Sequence, residues 1–214
     1  MKIILYVTVI IGILTSCSEQ KSDKNKSIES KKEEPISTDI SKETVKQQNY
    51  RQIKLKENSI DSFALPFPEE NMLLPLRNYY KPYWVEANIG QQDGPDFMYI
   101  DILKYDTPLV YFNFDSENEL ILNSIIVHES TVTDQYGLNV GSTIEKLKEN
   151  RGDGEINFDP YHQHVYYYYE NSNISYEING DLEIPADIQN IEDLIITEKD
   201  VEGWTIEYII WRKK

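Results

Sequence analysis

Residues 83–89 read YWVEANI, so apolar and polar side chains alternate along this stretch. In a β-strand such alternation places every second side chain on the same face of the sheet. The same period of two recurs at 98–102 and 110–114, and the turn sequence DGP at 93–95 separates the first two segments. The apolar run at 120–127 is read as a fourth strand, for which a break near Asn123 and Ser124 is left open. Closely spaced strands with connections of hairpin length predict an antiparallel sheet.

A helix is predicted directly after these strands. Ser142 and Glu145 have the spacing of a capping box, in which the N-cap hydroxyl and a carboxylate three residues later satisfy free backbone N–H groups. We therefore predict a helix that is capped by Ser142, with Ile144 and Leu147 on its buried face. Four more strand-like segments follow it, at 155–158, 163–170, 174–178 and 205–211.

The order of elements is repeated along the chain. A weaker helix candidate at 69–80, which contains Pro75, precedes the first four strands, so a helix and four strands occur twice, at 66–134 and 141–214. We predict an α+β fold with one or two antiparallel sheets covered by one or two helices. The order also fits a tandem helix-plus-four-strand repeat. It is similar to the tandem units of the β-lactamase-inhibitor-protein class.

A second resemblance covers the segment before the capped helix. Residues 136–143 read YGLNVGST, and they follow the apolar run 125–127. This arrangement of strand end, glycine turn and helix cap resembles a motif of uncharacterised envelope lipoproteins. The resemblance implies a related fold and no particular activity.

The N-terminal segment has the pattern of an export signal. Residues 3–14 are almost wholly apolar and follow Lys2. The run is shorter than the roughly 20 residues that span a bilayer, but it suits the core of a signal peptide. It ends in LTSC at 14–17, which resembles the lipobox of bacterial lipoproteins. A cleaved signal beside an unmodified cysteine, or a short N-terminal helix, remains the alternative.

The lipobox resemblance implies where the protein is held. It implies that residues 1–16 are removed as a signal peptide, that diacylglycerol is attached to Cys17, and that the new amino terminus is acylated. The bilayer is then a partner through Cys17. Ser18, where the family's sorting pattern would need aspartate for retention, implies an outer-membrane address in a host with two membranes.

Composition divides the remainder into a tether and a domain. Residues 18–49 contain seven lysines and seven acidic residues and almost no aromatic ones, so we predict a disordered tether over 17–49. The globular domain is predicted at 50–214, with 13 basic and 30 acidic residues. Because phosphate binding needs clustered basic residues, this charge argues against nucleic acid as a partner.

Four consecutive tyrosines at 166–169 are the most unusual feature of the domain. Alternation places Tyr166 and Tyr168 on one face with His164, and His162 is expected on that face too. Aromatic faces bind sugar rings and peptides and are enriched at protein interfaces. We predict a binding surface formed by these four residues, with packing inside the core as the alternative.

The same histidines raise the question of a metal. Two imidazoles on one strand face can chelate zinc, with His128 or Glu170 as a further ligand. The sequence has no metal-binding motif, however, and no phosphate loop or nucleophile motif. We therefore expect no metal, no cofactor and no catalytic residue.

The functional prediction is correspondingly coarse. We expect a membrane-anchored cell-envelope lipoprotein with a non-catalytic binding or structural role, whose partner is an envelope protein or a glycan. One alternative is a surface glycan- or peptide-binding module. The other is a hydrolase that uses two carboxylates with glycosidase spacing, roughly 5–9.5 Å apart.

Overall fold

The computed structural model describes residues 49–91, 94–182, 184, 188 and 190–214. The predicted signal peptide, Cys17 and all of the predicted tether except Asn49 lie outside the described residues.

The described chain contains twelve strands, two α-helices and a short 3-10 turn at Ile191–Asp193. In chain order the elements are β1 (Lys54–Lys56), β2 (Ser59–Ile60), β3 (Phe63–Ala64), α1 (Leu73–Tyr79), β4 (Trp84–Gly90), β5 (Phe97–Lys104), β6 (Thr107–Phe114), β7 (Leu122–Val127), β8 (Thr133–Asp134), α2 (Ile144–Arg151), β9 (Glu155–Asp159), β10 (His164–Tyr168), β11 (Ile174–Asn179) and β12 (Thr205–Arg212).

The main sheet consists of two antiparallel four-stranded meanders. Strands β4 to β7 form one, strands β9 to β12 form the other, and the last strands of the two meanders pair with each other. The resulting order is β4-β5-β6-β7-β12-β11-β10-β9. The predicted α+β fold is confirmed: the chain is mostly β, α1 precedes the first meander and α2 precedes the second.

One face of this sheet forms the floor of the core. A single row of paired residues crosses all eight strands on this face: Val85, Ile102, Val110, Val127, Ile209, Tyr176, Tyr167 and Ile156. All of them except Ile156 are buried. Since burying one such apolar side chain contributes about 1.5–3 kcal/mol, this row fixes which face of each strand points inward.

Helix α2 packs on the core face, but its cap differs from the prediction. Thr143 is the N-cap, and its hydroxyl accepts a hydrogen bond from the backbone N–H of Lys146 at 3.3 Å. The prediction that Ser142 caps the helix is wrong, because the Ser142 hydroxyl donates to the Asn139 side chain at 2.7 Å. Glu145 accepts from the backbone N–H of Gly203 at 3.0 Å instead of closing a capping box.

Helix α1 is shorter than the 69–80 segment that the sequence suggested. It begins at Leu73, so Pro75 occupies the first turn, where a missing backbone N–H breaks no helical hydrogen bond. Leu76 is fully buried and Leu74 is exposed, which leaves one apolar contact face. Within the ranges that the structure describes, no helix is long and apolar enough to cross a membrane.

A second, small sheet has the order β3-β2-β1-β8, with β1 parallel to β8. Leu55 and Ile60 from its first hairpin are fully buried. Phe67, which follows this sheet, packs against Phe112 of the main sheet with ring centroids 5.4 Å apart. The small sheet was not predicted, because strands of two or three residues show no measurable alternation.

Candidate functional site

The main sheet has a second face, which we call the open face. It is defined by the row Glu86, Asp101, Tyr111, Ile126, Ile210 and Ser175, which are paired across six neighbouring strands. The packing partners described above, α2 and the segment after the small sheet, contact the core face instead. Neither α2 nor that segment therefore covers the open face, which carries mainly polar and aromatic side chains.

A groove of about 1090 Å³ lies on the β9–β12 half of the open face. Its lining includes all four residues of the predicted binding surface: His162, His164, Tyr166 and Tyr168. The structure thus brings these side chains to one concave site.

Alternation divides the four tyrosines as the sequence predicted. Tyr166 and Tyr168 are half-buried in the groove, and the Tyr168 hydroxyl donates to Glu155 Oε2 at 2.5 Å. Tyr167 is fully buried on the core face, where its hydroxyl oxygen accepts from the backbone N–H of Gly154 at 2.8 Å. Tyr169 donates to the carbonyl oxygen of Gly152 at 2.9 Å. One pair therefore belongs to the groove and the other pair holds the β9–α2 connection.

The two histidines lie close together in the groove, but only His164 is on the strand where both were predicted. Strand β10 begins at His164, so His162 lies in the turn after β9 and not on the strand. Their ring centroids are nevertheless 5.9 Å apart. The His162 Nδ1 atom lies 2.8 Å from Asp159 Oδ2, and the His164 Nδ1 atom lies 3.1 Å from Glu177 Oε1.

No group of three or more His, Cys, Asp or Glu side chains suited to a metal ion occurs among the described residues. His128, the third histidine that could have joined such a group, lies elsewhere. Its ring packs between Tyr111 and Tyr208, with centroids 4.1 and 4.8 Å away. Burial lowers the pKa of His128 to about 4, so the ring is neutral at physiological pH.

Two basic residues that the sequence analysis missed also line the groove. Arg212 is exposed at the end of β12 and forms none of the ion pairs found within the described part of the chain. The Lys214 Nζ atom donates to the carbonyl oxygens of Tyr169 and Glu170 at 2.7 and 2.6 Å, so its charge is fixed at the rim. The groove lining therefore contains two basic residues beside the acidic Asp159 and Glu177.

The acidic groups of the groove are engaged with its histidines and turns. Burial raises the pKa of the Glu177 carboxyl, while the charges of His164 and Arg212 counteract the rise. Asp159 accepts from the backbone N–H of Tyr161 at 3.0 Å, and the His162 contact lowers the pKa of its carboxyl. Both carboxylates thus stabilise the shape of the groove.

A second polar cluster lies on the β4–β6 half of the open face. The Asn88 Nδ2 atom donates to Glu86 Oε1 at 3.4 Å and to Asp101 Oδ2 at 3.2 Å. The indole N–H of Trp84 donates to Glu86 Oε2 at 2.7 Å. Asp101 is only 5% exposed, and burial, with Glu86 adding to it, raises the pKa of its carboxyl to about 6.

The site and fold together define an α+β domain whose eight-stranded sheet displays one polar, aromatic face. No protein-family model matches the chain, and no curated protein matches it either. Among solved structures it is similar to the uncharacterized protein yfeY from Escherichia coli, with a TM-score of 0.55 and 18% sequence identity. The match covers 75% of this chain and 99% of that chain, and at this identity it shows a shared fold alone.

Proposed function

We propose that the chain is a lipid-anchored lipoprotein of the cell envelope whose domain binds a second envelope protein in the groove of the open face. The observation that carries the proposal is the composition of that groove. Tyr166 and Tyr168 present half-buried rings beside Arg212, which has no ion-pair partner among the described residues. Tyrosine and arginine are among the residues most enriched at the energetic centres of protein interfaces.

The size and chemistry of the groove favour a polypeptide segment as its occupant. At about 1090 Å³ it lies at the upper end of the roughly 300–1,000 Å³ range of small-molecule sites, so its volume has room for a short polypeptide segment. The guanidinium of Arg212 can pair with a carboxylate through two parallel hydrogen bonds. We infer a partner segment with an acidic side chain for Arg212 and apolar or aromatic side chains for the two tyrosine rings.

A binding role is favoured over hydrolysis by the state of the groove's carboxylates. A glycosidase needs one carboxyl group as an acid and a second one free to act on water or sugar. Asp159 is held by backbone N–H groups and His162, and Glu177 is held by His164. Asp159 uses both carboxylate oxygens in these contacts, and Glu177 uses Oε1.

The anchor in this proposal rests on the sequence. The apolar run at 3–14 and the lipobox at 14–17 support diacylglycerol attachment to Cys17, and Ser18 supports an outer-membrane address in a host with two membranes. Two or more acyl chains hold a protein stably at a membrane, whereas one chain does so only marginally. The intervening residues 18–48 would give the domain reach from the bilayer surface.

Site-specific photocrosslinking in the native envelope tests the proposal. A photoreactive amino acid is placed at Asn157, which is exposed in the groove, or at Lys199, which is exposed in the segment that approaches α2 through the Lys148–Glu198 pair. We expect one discrete protein adduct from position 157, none from position 199, and loss of the adduct when Tyr166→Ala and Tyr168→Ala are added.

The nature of the adduct decides between the candidate partners. An adduct that proteases shift in mobility and glycosidases do not is the expected protein partner. An adduct sensitive only to glycosidases would replace the protein partner with a glycan. Equal adducts from both positions, or an adduct that survives the tyrosine substitutions, would show that the groove is not the contact surface.

A further inference from the structure

Two carboxylates on the β4–β6 half of the open face are held together by one amide. Glu86 and Asp101 are directly opposed on neighbouring strands, and both accept from the Asn88 Nδ2 atom. Neither carboxylate takes part in an ion pair within the ranges that the structure describes. Two like charges directly across a strand pair destabilise a sheet, so this arrangement needs a reason.

The burial of Asp101 adds to the free-energy cost of this arrangement. It is 5% exposed, and its Oδ1 atom is buried without a hydrogen-bond partner among the described residues. A buried carboxylate oxygen that lacks a donor loses its hydration without compensation. Such unsatisfied groups are rare in native proteins, and each one calls for a partner such as a water molecule, an ion or a ligand group.

The surrounding side chains indicate what completes it. The rings of Tyr99 and Tyr111 flank Asp101 with centroids 5.3 Å apart, and Trp84 is 63% exposed next to Glu86. Aromatic faces attract organic cations, and the attraction grows when water is excluded. Among the described residues, Glu86 and Asp101 are not joined by a third His, Cys, Asp or Glu side chain that would suit a metal ion.

We propose that Glu86, Asp101, Tyr99 and Tyr111 form a binding site for a primary ammonium group, such as the lysine side chain of a basic polypeptide. The Asn88 amide nitrogen shows that one nitrogen donor can contact both carboxylates at once. An ammonium beside this amide donates to Glu86 Oε1 and to the unpartnered Asp101 Oδ1, and places its methylenes against the tyrosine rings. The net charge of the domain, with 30 acidic and 13 basic residues, favours the approach of a cation.

The two carboxylates of this site do not line the groove, although Tyr111 is paired with Ile126, which does. Strands β5 and β10 are five positions apart in the sheet, which corresponds to about 24 Å at the usual strand spacing. The ammonium site can therefore be tested while the groove remains intact, and its failure leaves the proposed function of the groove untouched.

Calorimetry on the full-length chain in detergent tests the site, with a blocked trilysine peptide as the probe. Its acetyl-lysine counterpart, which has the same shape without the charges, is the first control. Asp101→Asn combined with Glu86→Gln should weaken binding of the trilysine peptide about tenfold or more, because two charge-assisted hydrogen bonds are lost. The matched variant Glu119→Gln with Glu149→Gln removes two exposed charges elsewhere and should change affinity less than about twofold.

An NMR signal provides a local readout of the same event. The Trp84 indole N–H donates to Glu86, so its resonance should shift when the peptide binds, while those of the buried Trp204 and Trp211 stay in place. Glu86→Gln alone, at a half-buried position, provides a milder variant if the double substitution fails to fold. Spermidine in place of the peptide tests whether a free amine suffices, and binding that depends on Asp101 supports the site in either case.

Four results would overturn the inference. Equal weakening in the site variant and the matched variant would show non-specific attraction to an acidic domain. Equal binding of the acetylated peptide would remove the ammonium from the explanation. Calcium that binds more tightly than the peptide, with the same dependence on Asp101, would make this a metal site. A stationary Trp84 resonance at saturating peptide would place the binding elsewhere.

Discussion

The indole N–H of Trp211 donates to the backbone carbonyl of Glu57 at 2.7 Å, and so joins the last strand of the chain to its first hairpin. The side chain of Glu57 extends the connection, since Oε2 accepts from the backbone N–H of Asn173 at 2.7 Å and Oε1 accepts from the Ser172 hydroxyl. These hydrogen bonds therefore attach the small sheet to β12 and to the turn before β11.

Arg151 stabilises the same region, and its substitution by alanine is the first test of this connection. Its guanidinium lies between the rings of Tyr136 and Tyr169, at 3.8 and 3.9 Å, and donates to the Tyr176 hydroxyl at 3.0 Å. Because its side chain is only 4% exposed, Arg151→Ala leaves buried acceptors without donors. We expect a loss of about 2–4 kcal/mol in the free energy of unfolding, measured by urea denaturation.

A neighbouring residue supplies the control for Arg151. Lys148 lies on the same helix and pairs with Glu198 at 2.9 Å on the surface. Lys148→Ala should cost less than about 1 kcal/mol, as exposed ion pairs usually do. Similar losses in the two variants would mean that the stacked guanidinium stabilises the domain no more than a surface pair.

Most of the main sheet could be predicted from sequence because its strands alternate. The segments predicted at 83–89 and 174–178 agree with β4 and β11 within a residue or two. The small sheet could not be predicted, since its strands are too short to alternate and depend on partners such as Asn173, more than 100 residues away. The N-cap is Thr143 and not the predicted Ser142, because the Ser142 hydroxyl donates to the Asn139 side chain.

The candidate sites depended on strand register, which the sequence does not show. The tyrosine pair at 166 and 168 was predicted because the two residues lie near each other along the chain. Arg212 reaches the same groove from another strand, and Asp101 meets Glu86 only through the pairing of β4 with β5. In the sequence, Asp101 is one polar residue in an alternating strand and resembles any solvated position.

The start of α2 provides a second stability test. Thr143→Ala should cost about 1 kcal/mol, because the N-cap acceptor for the Lys146 N–H is lost. Leu147→Ala should cost about 2–5 kcal/mol, because Leu147 is fully buried and its truncation opens a cavity. Thermal unfolding followed by circular dichroism measures both. If Leu147→Ala is no more harmful than Thr143→Ala, the helix does not cover the core as described.

Asp101 should make stability depend on pH. Its pKa is about 6 in the folded protein, above the ordinary value of 3.8, so between these values the folded state binds more protons than the unfolded state. This group therefore lowers stability as the pH rises from about 4 to 6. Asp101→Asn should raise the free energy of unfolding at pH 7 by roughly 1–3 kcal/mol and change it little near pH 3.5. A variant that is less stable than the parent at pH 7 would contradict this prediction.

The lipid anchor is tested at Cys17. Cys17→Ala removes the proposed acceptor of diacylglycerol, so the variant should keep its predicted signal sequence unprocessed by the lipoprotein route and incorporate no labelled fatty acid. Fractionation after a high-salt wash should show loss of stable membrane retention compared with the parent chain. Palmitate labelling that persists in the variant would show that the anchor lies at another residue.

The four consecutive tyrosines should separate into two classes by their effect on stability. Tyr167 is fully buried and accepts from the Gly154 N–H, so Tyr167→Ala should cost about 3–5 kcal/mol, in the range of other buried aromatic truncations. Tyr166 and Tyr168 are half-buried on the open face, so their double substitution by alanine should cost only about 1–2 kcal/mol because much of each ring already contacts water. Urea denaturation of the two variants measures the difference, and the parent protein with Tyr161→Ala, at an 81% exposed position, serves as the reference for a solvated tyrosine. If the double variant unfolds as readily as Tyr167→Ala, the groove tyrosines belong to the core, and the open face loses the aromatic surface on which the proposed partner binding depends.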